Sequence, residues 1–238
     1  MIAHVQVFAI FGCEKIYESE VLPMRNIFIY LSGSIQKSHE KNSYFWTEED
    51  ITKMELLFSE LGINVVLLNP SSRSDDLTDE FSLFGRDMLQ VYLSSCVLTD
   101  GRERRGIGVG YEMAAANFKK IPVFSWVPYN SHYRPKELVM LGQKLFNWNH
   151  PFFIIPSIKL VESLEEAVAE IAKFNFCERE PMTASDFILP AMQHYIKTNL
   201  ERDQEMNSLV NKYSDLSSLV NSIRSVSLQP SLDAVEVA

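Results

Sequence analysis

Glu112 stands in the stretch from Arg104 to Ala116, RRGIGVGYEMAAA, after a Gly-x-Gly-x-Gly turn and before small apolar residues that read as the start of a buried helix. A glutamate needed for solubility belongs on an outer face, but this one sits where a strand hands over to a helix. Gly106, Gly108 and Gly110 let the backbone turn tightly and approach a ligand with no Cβ atoms in the way. A helix starting there aims free N–H groups and positive partial charge at whatever binds. That dipole favours the ionised carboxylate, which suits a nucleophile better than an acid, although a glutamate serving only the dipole would look the same. The glycines alone specify little, because the lysine and serine of a P-loop are missing and no acidic residue stands at dinucleotide-binding spacing. A second carboxylate adds weight. Asp87, in FGRDMLQVYLSS, falls on a helix whose Leu83, Leu89 and Leu93 read as core. Two carboxylates about a sugar ring are the machinery of glycosidic-bond cleavage: one attacks or stabilises the anomeric carbon and the other moves a proton. A plain helix charge, or a salt bridge from Asp87 to Arg86 or Arg104, is the simpler alternative.

These side chains need a scaffold, and the apolar runs supply one. NIFIYL (26–31), NVVLLN (64–69), CVLTD (96–100), IPVFSWV (121–127) and FFIIP (152–156) read as buried strands. Helical patterns separate them. One runs from the N-cap Thr47, with Asp50 three residues on, to the stop at Gly62. A second spans about Asp79 to Ser94 and a third begins near Val109, while Ser163 and Glu166 open another with a capping box. Strand–helix alternation predicts an α/β, Rossmann-like (flavodoxin-like) fold: a five-stranded parallel sheet with helices on both faces. Ligands in such sheets bind outside the carboxyl ends of the strands. YLSGSI, NPSSRSDD and DGRERRGIGVGYE then meet on one rim.

The chain divides into an N-terminal extension over 1–23, a main domain over 24–177, a C-terminal helical extension over 178–225 and a tail over 226–238 expected to be disordered. Met206, Leu209, Tyr213, Leu216, Val220 and Ile223 recur at steps of three and four, a seam too short for a secure zipper and better suited to packing on the domain or on a second subunit. The 238 residues, 46% hydrophobic and 22% charged, suffice for a full core. A net charge of −9 argues against non-specific nucleic-acid binding. No apolar run is long enough to span a membrane. Cys13, Cys96 and Cys177 form neither a disulfide framework nor a zinc site, which points to a reducing, cytoplasmic compartment. The scattered histidines show no metal-ligand spacing.

In order along the chain, IYLSGSI (29–35), GRD (85–87) and GVGYEMA (108–114) resemble the nucleoside 2-deoxyribosyltransferase superfamily, and within it the 2'-deoxynucleoside 5'-monophosphate N-glycosidases. The likeness spans roughly residues 26–127. It implies a Rossmann-like enzyme, assembled as a homodimer or larger homo-oligomer and needing no cofactor. Its substrate is a small nucleotide or nucleoside, and its glutamate attacks C1' to give a covalent sugar ester. Carried onto this sequence, the resemblance makes Glu112 the nucleophile, Asp87 the residue that assists the leaving base or orients the sugar, and Tyr30 the residue that positions the glutamate. Gly33, Ser34 and Ile35 match the loop around the sugar-phosphate, and Gly108 and Gly110 the backbone near the 5' end.

The sequence also departs from that pattern. Gly106 stands where the monophosphate glycosidases carry a serine, so a hydroxyl donor to phosphate is lost. Arg104 and Arg105 beside it are candidates to replace that donor with charge, since guanidinium suits phosphate, or are solvated surface residues. Asp100, ending the third strand, is a candidate contact to base or ribose. Ser131, His132 and Arg134 lie in a polar loop that reads either as a pocket cap or as surface. A deoxyribosyltransferase exchanging bases and a ribonucleotide N-glycosidase are rivals within the same chemistry. A nucleotide-binding sensor without turnover, signalling through 178–225, is the rival from another class.

Overall fold

A computed structural model describes residues 26–35, 45–177, 180–183, 186 and 188–227. The expected extension over 1–23 and all but two residues of the expected tail lie outside the described residues. Strand β1 (Asn26–Ser32) leads to helix α1 (Glu48–Glu60), then β2 (Asn64–Leu68), α2 (Glu80–Leu93), β3 (Cys96–Asp100), α3 (Ile107–Phe118) and β4 (Val123–Trp126). A hairpin, β5 (Glu137–Met140) and β6 (Gln143–Phe146), precedes the short α4 (Pro151–Ile154), the edge strand β7 (Lys159–Val161) and α5 (Leu164–Lys173). Helices α6 (Leu189–Thr198), α7 (Gln204–Lys212) and α8 (Ser214–Ser225) complete the described chain.

The sheet runs β2-β1-β3-β4-β7 with every pairing parallel. This is the expected Rossmann-like α/β architecture. The order in which strands are added across the sheet reverses between β1 and β3, so the crevice at their carboxyl ends is the switch point at which such sheets hold ligands. Side-chain alternation along β1 sorts the core. Ile27, Ile29 and Leu31 pack toward α1 and α5, whereas Phe28 and Tyr30 face α2, α3 and the C-terminal helices. Ser32, two residues beyond Tyr30, shares its face.

Caps fix the helix ends where the sequence places them. Thr47 and Asp50 form a reciprocal capping box on α1, and Asp79 accepts from the Ser82 amide at the start of α2. Ser163 likewise accepts from the Glu166 amide, while the Glu166 carboxylate reaches the Glu162 amide instead of that of Ser163.

One expected strand is wrong. FFIIP (152–156) is not the fifth strand: it enters α4, with Pro151 in the first helical turn, and Phe152 and Ile155 are 83% and 82% exposed. The fifth strand is Lys159–Val161, too short and too exposed on one side to announce itself by hydrophobicity. The 205–224 seam divides at Tyr213 into α7 and α8. Its residues Met206, Leu216, Val220 and Ile223 are buried in the same core as Tyr30 and Leu89, so the seam packs on the domain. Among the described residues no helix is long and apolar enough to cross a membrane.

Candidate active site

Glu112 projects from α3 toward the carboxyl end of β1. Tyr30 Oη donates to its Oε1 at 2.9 Å, and Ser32 Oγ donates to its Oε2 at 2.5 Å. Residues two apart on a strand point the same way, so β1 presents both hydroxyls to one carboxylate, one to each oxygen. Tyr30 and Ser32 are themselves fully buried. The sequence reading found Tyr30 but missed Ser32, although the two-residue spacing from Tyr30 was a usable signal.

Asp87 comes from the middle of α2 and joins Glu112 in lining a cleft of about 290 Å³. Phe84, Met88, Ile107, Gly108 and Tyr111 form the remaining wall. Phe84 and Tyr111 meet edge to face with centroids 5.4 Å apart. The cleft therefore has an acidic floor and largely apolar sides, a shape suited to a flat heteroaromatic group beside a reacting centre.

Burial dominates the electrostatics. It pushes Glu112 up to about 7; the nearby Asp87 adds to the rise, while the Ser32 and Tyr30 hydrogen bonds oppose it. Asp87 is likewise raised to about 6 by burial, against the pull of Arg73 and Arg86. This corrects the expectation of a dipole-favoured anion. The helix begins at Ile107, Glu112 lies beyond its first turn, and the dipole fades within that turn. A half-buried carboxyl whose ionised form rests on two hydroxyl donors is what the fold provides.

No protein-family model and no curated protein matches the chain. The site's chemistry is therefore read from its own atoms.

The remaining candidates fall into a second cluster. Arg105 is only 2% exposed in its side chain and pairs with Asp100 at 2.5 Å. It also donates from Nη1 to Ser34 Oγ at 2.9 Å. Asp100, fully buried, further accepts from the Arg102 backbone and side chain at 3.0 Å. This ion-pair knot ties the loop after β1 to the loop after β3. Gly33 packs so closely on Trp46 that a Cβ would lie 2.9 Å from its Nε1, so a side chain there would displace the indole. Ile35 is exposed.

Gly106, Gly108 and Gly110 are exposed, none has positive φ, and a Cβ on any of them would meet nothing. The turn itself therefore does not require glycine. Gly106 is the N-cap of α3 and has no side-chain cap. The loop over 129–135 touches this region through Tyr133, whose hydroxyl accepts from the Arg105 amide at 2.6 Å. Arg134 instead turns away to the Val127 carbonyl and Glu162.

Sequence reasoning also missed Arg73. Its guanidinium forks onto Asp75 at 2.8 and 2.7 Å and reaches Asp87 at 3.4 Å. It lies in the NPSSRSDD rim loop after β2, where a cation three residues after Pro70 was visible but had no assigned partner.

Proposed function

We propose that the protein cleaves the N-glycosidic bond of 2'-deoxyribonucleoside 5'-monophosphates or related nucleosides through a covalent ester on Glu112, as the likeness to the nucleoside 2-deoxyribosyltransferase superfamily implies. One observation carries this reading: Glu112 and Asp87 share one cleft, and Glu112 is held there by a hydroxyl on each oxygen. The ionised Glu112 attacks C1'; its C–O bond forms as the C1'–N bond breaks, and the departing base takes a proton from Asp87. The carboxylate of Asp87 then accepts a proton from a water whose oxygen attacks C1', the ester bond breaks, and Glu112 leaves as the anion.

Positive charge developing on the sugar lies against Glu112, which stabilises the arrangement with Glu112 ionised and Asp87 protonated in the transition state. At rest that arrangement is the minor one, because Asp87 at about 6 gives up its proton before Glu112 at about 7. Lacking a 2'-hydroxyl, a deoxyribosyl group reaches that cationic state more readily than a ribosyl one. The uncapped start of α3 supports the monophosphate, because its free amide groups suit a phosphate; exposed Arg104 stands beside it, whereas Arg105 is engaged by Asp100 and Ser34. An acceptor base in place of water gives a deoxyribosyltransferase, and product analysis with and without such a base separates the two. A homodimer belongs to the same reading, supported by the exposed apolar side chains of Phe118, Phe152 and Ile155. The free thiols of Cys96 and Cys177 support a reducing, cytoplasmic setting.

Intact-mass analysis after incubation with a 2'-fluorinated deoxynucleotide tests the reading. A sugar-phosphate adduct that maps to Glu112, and is absent from Glu112→Ala, is expected. A panel of deoxynucleotides, ribonucleotides and nucleosides that gives neither adduct nor free base rejects it and leaves the sensor.

A further inference from the structure

Gly85, Arg86 and Asp87 follow one another on α2 and point in three directions. A Cβ on Gly85 would sit 2.0 Å from the carbonyl oxygen of Ala191, so α6 crosses α2 backbone to backbone at this residue. Arg86 is fully buried. Its Nε donates to Asp203 Oδ2 at 2.5 Å, its Nη2 to the Ser72 carbonyl, and it lies 3.8 Å from both Asp75 and Asp87. Asp203 is also fully buried; it caps α7 through the Met206 amide and accepts the Tyr195 hydroxyl at 2.9 Å. The C-terminal helices are thus fastened to the turn that carries Asp87, by close steric approach at one residue and by charge at the next.

We propose that Asp203 is a positioning residue for Asp87: it holds and neutralises Arg86, and so leaves Asp87 as the carboxyl of the cluster free to exchange a proton. The charges facing Asp87 support this. Arg73 and Asp75 come from the loop after β2, Arg86 from its own helix, Glu112 from α3 and Tyr30 from β1. Asp203, with Tyr195 behind it, acts through Arg86. Two cations, the buried Arg86 and the half-buried Arg73, are matched by two carboxylates, Asp75 and Asp203. Asp87 and Glu112 are the surplus acids, and of the two it is Asp87 that lies beside Arg86. Without the charge on Asp203, Arg86 would be short of a counter-ion and would draw on Asp87, fixing it as an anion. The catalytic role given to Asp87 under Proposed function is presupposed, but the inventory of protons is independent of turnover.

The experiment is a carboxyl-carbon NMR titration of the full chain labelled at aspartate, with the Asp87 signal assigned by its loss in Asp87→Asn. In Asp203→Asn the Asp87 midpoint falls by about one pH unit; an unchanged midpoint in the folded variant overturns the proposal. Tyr195→Phe keeps the volume and removes a donor from Asp203, concentrating its charge on Arg86. The Asp87 midpoint then rises, and an unchanged or lower value counts against the proposal even if Asp203→Asn fails to fold. Val220→Ala loosens the same helices without touching a charge and leaves the midpoint in place; a matching fall there would show that packing alone is responsible. Where turnover is measurable, the acid limb of the rate profile follows the Asp87 midpoint downward in Asp203→Asn and the maximum falls, and an acid limb that stays fixed overturns the positioning role. Absence of turnover with the NMR shifts intact rejects the enzymatic reading alone.

Discussion

Ser32 and Glu112 are joined by a 2.5 Å hydrogen bond between the last residue of β1 and the sixth of α3. With Tyr30 on the other oxygen, it offsets part of the burial that drives Glu112 toward protonation. Ser32→Ala leaves one oxygen of a half-buried carboxylate without its donor, a loss worth about 1–3 kcal/mol. The rate profile of this variant shifts to higher pH and its maximum falls roughly 5- to 100-fold, since the ionised nucleophile becomes the harder state to reach. Steady-state kinetics between pH 5 and 9 check both effects, and an unaltered profile would separate Ser32 from the chemistry.

In the parent protein, kcat/KM is expected to be bell-shaped. Below about 6 both Asp87 and Glu112 carry protons and no nucleophile is available; above about 7 neither does, and the leaving base has no acid. The optimum lies between these limbs, which belong to the pair of carboxyls jointly because each feels the other's charge. A rate that keeps climbing through pH 9 would contradict the assignment.

Stability should respond in the opposite sense to a typical salt-bridged acid. Glu112 is raised from 4.5 to about 7, so the folded chain binds more protons than the unfolded one across that interval. Stability therefore declines as pH rises from about 4.5 to about 7, and the full cost is present above it. Glu112→Gln removes the charge while Ser32 turns to accept from the amide. Its melting temperature is expected to exceed that of the parent at pH 8, by at most about 3 kcal/mol equivalent and less to the extent that the open cleft admits water. At pH 4 the two melt alike. Calorimetry at the two pH values checks the sign, and turnover is lost at both.

Much of this is legible in the sequence. Thr47 and Asp79 announce their helices because capping is local chemistry. Four of the five expected strands are present because a strand buried on both faces is continuously apolar. FFIIP failed for a related reason: a short apolar run does not reveal its period, and Pro151 fits the first turn of a helix as well as the edge of a sheet. Tyr30, Asp87 and Glu112 were found through motifs, and β1 and α3 do bring Tyr30 to Glu112. Asp203 was not found. It lies 117 residues from Arg86, and no spacing rule links a helix cap to an arginine that distant. Nor could the sequence separate Arg105, turned inward onto Asp100, from exposed Arg104; burial chose between two identical neighbours.

Gly85 offers a test of the attachment of the C-terminal helices that involves no titrating group. Its missing Cβ would fall 2.0 Å from Ala191 O and 2.5 Å from Ala191 C, atoms of a helix backbone that cannot rotate aside. In Gly85→Ala, α6 must therefore lift away from α2. The helical preference of alanine, about 1 kcal/mol over glycine, acts in the other direction. Overpacking of a tight crossing costs about 1–3 kcal/mol or more, and here backbone meets a Cβ, so the clash dominates. The variant is expected to melt lower by roughly 5–10 °C, with Leu189, Met192 and Tyr195 losing protection first in hydrogen exchange. Retained or increased stability would mean that α6 does not lie where the structure places it, and that Asp203 has no firm platform from which to hold Arg86.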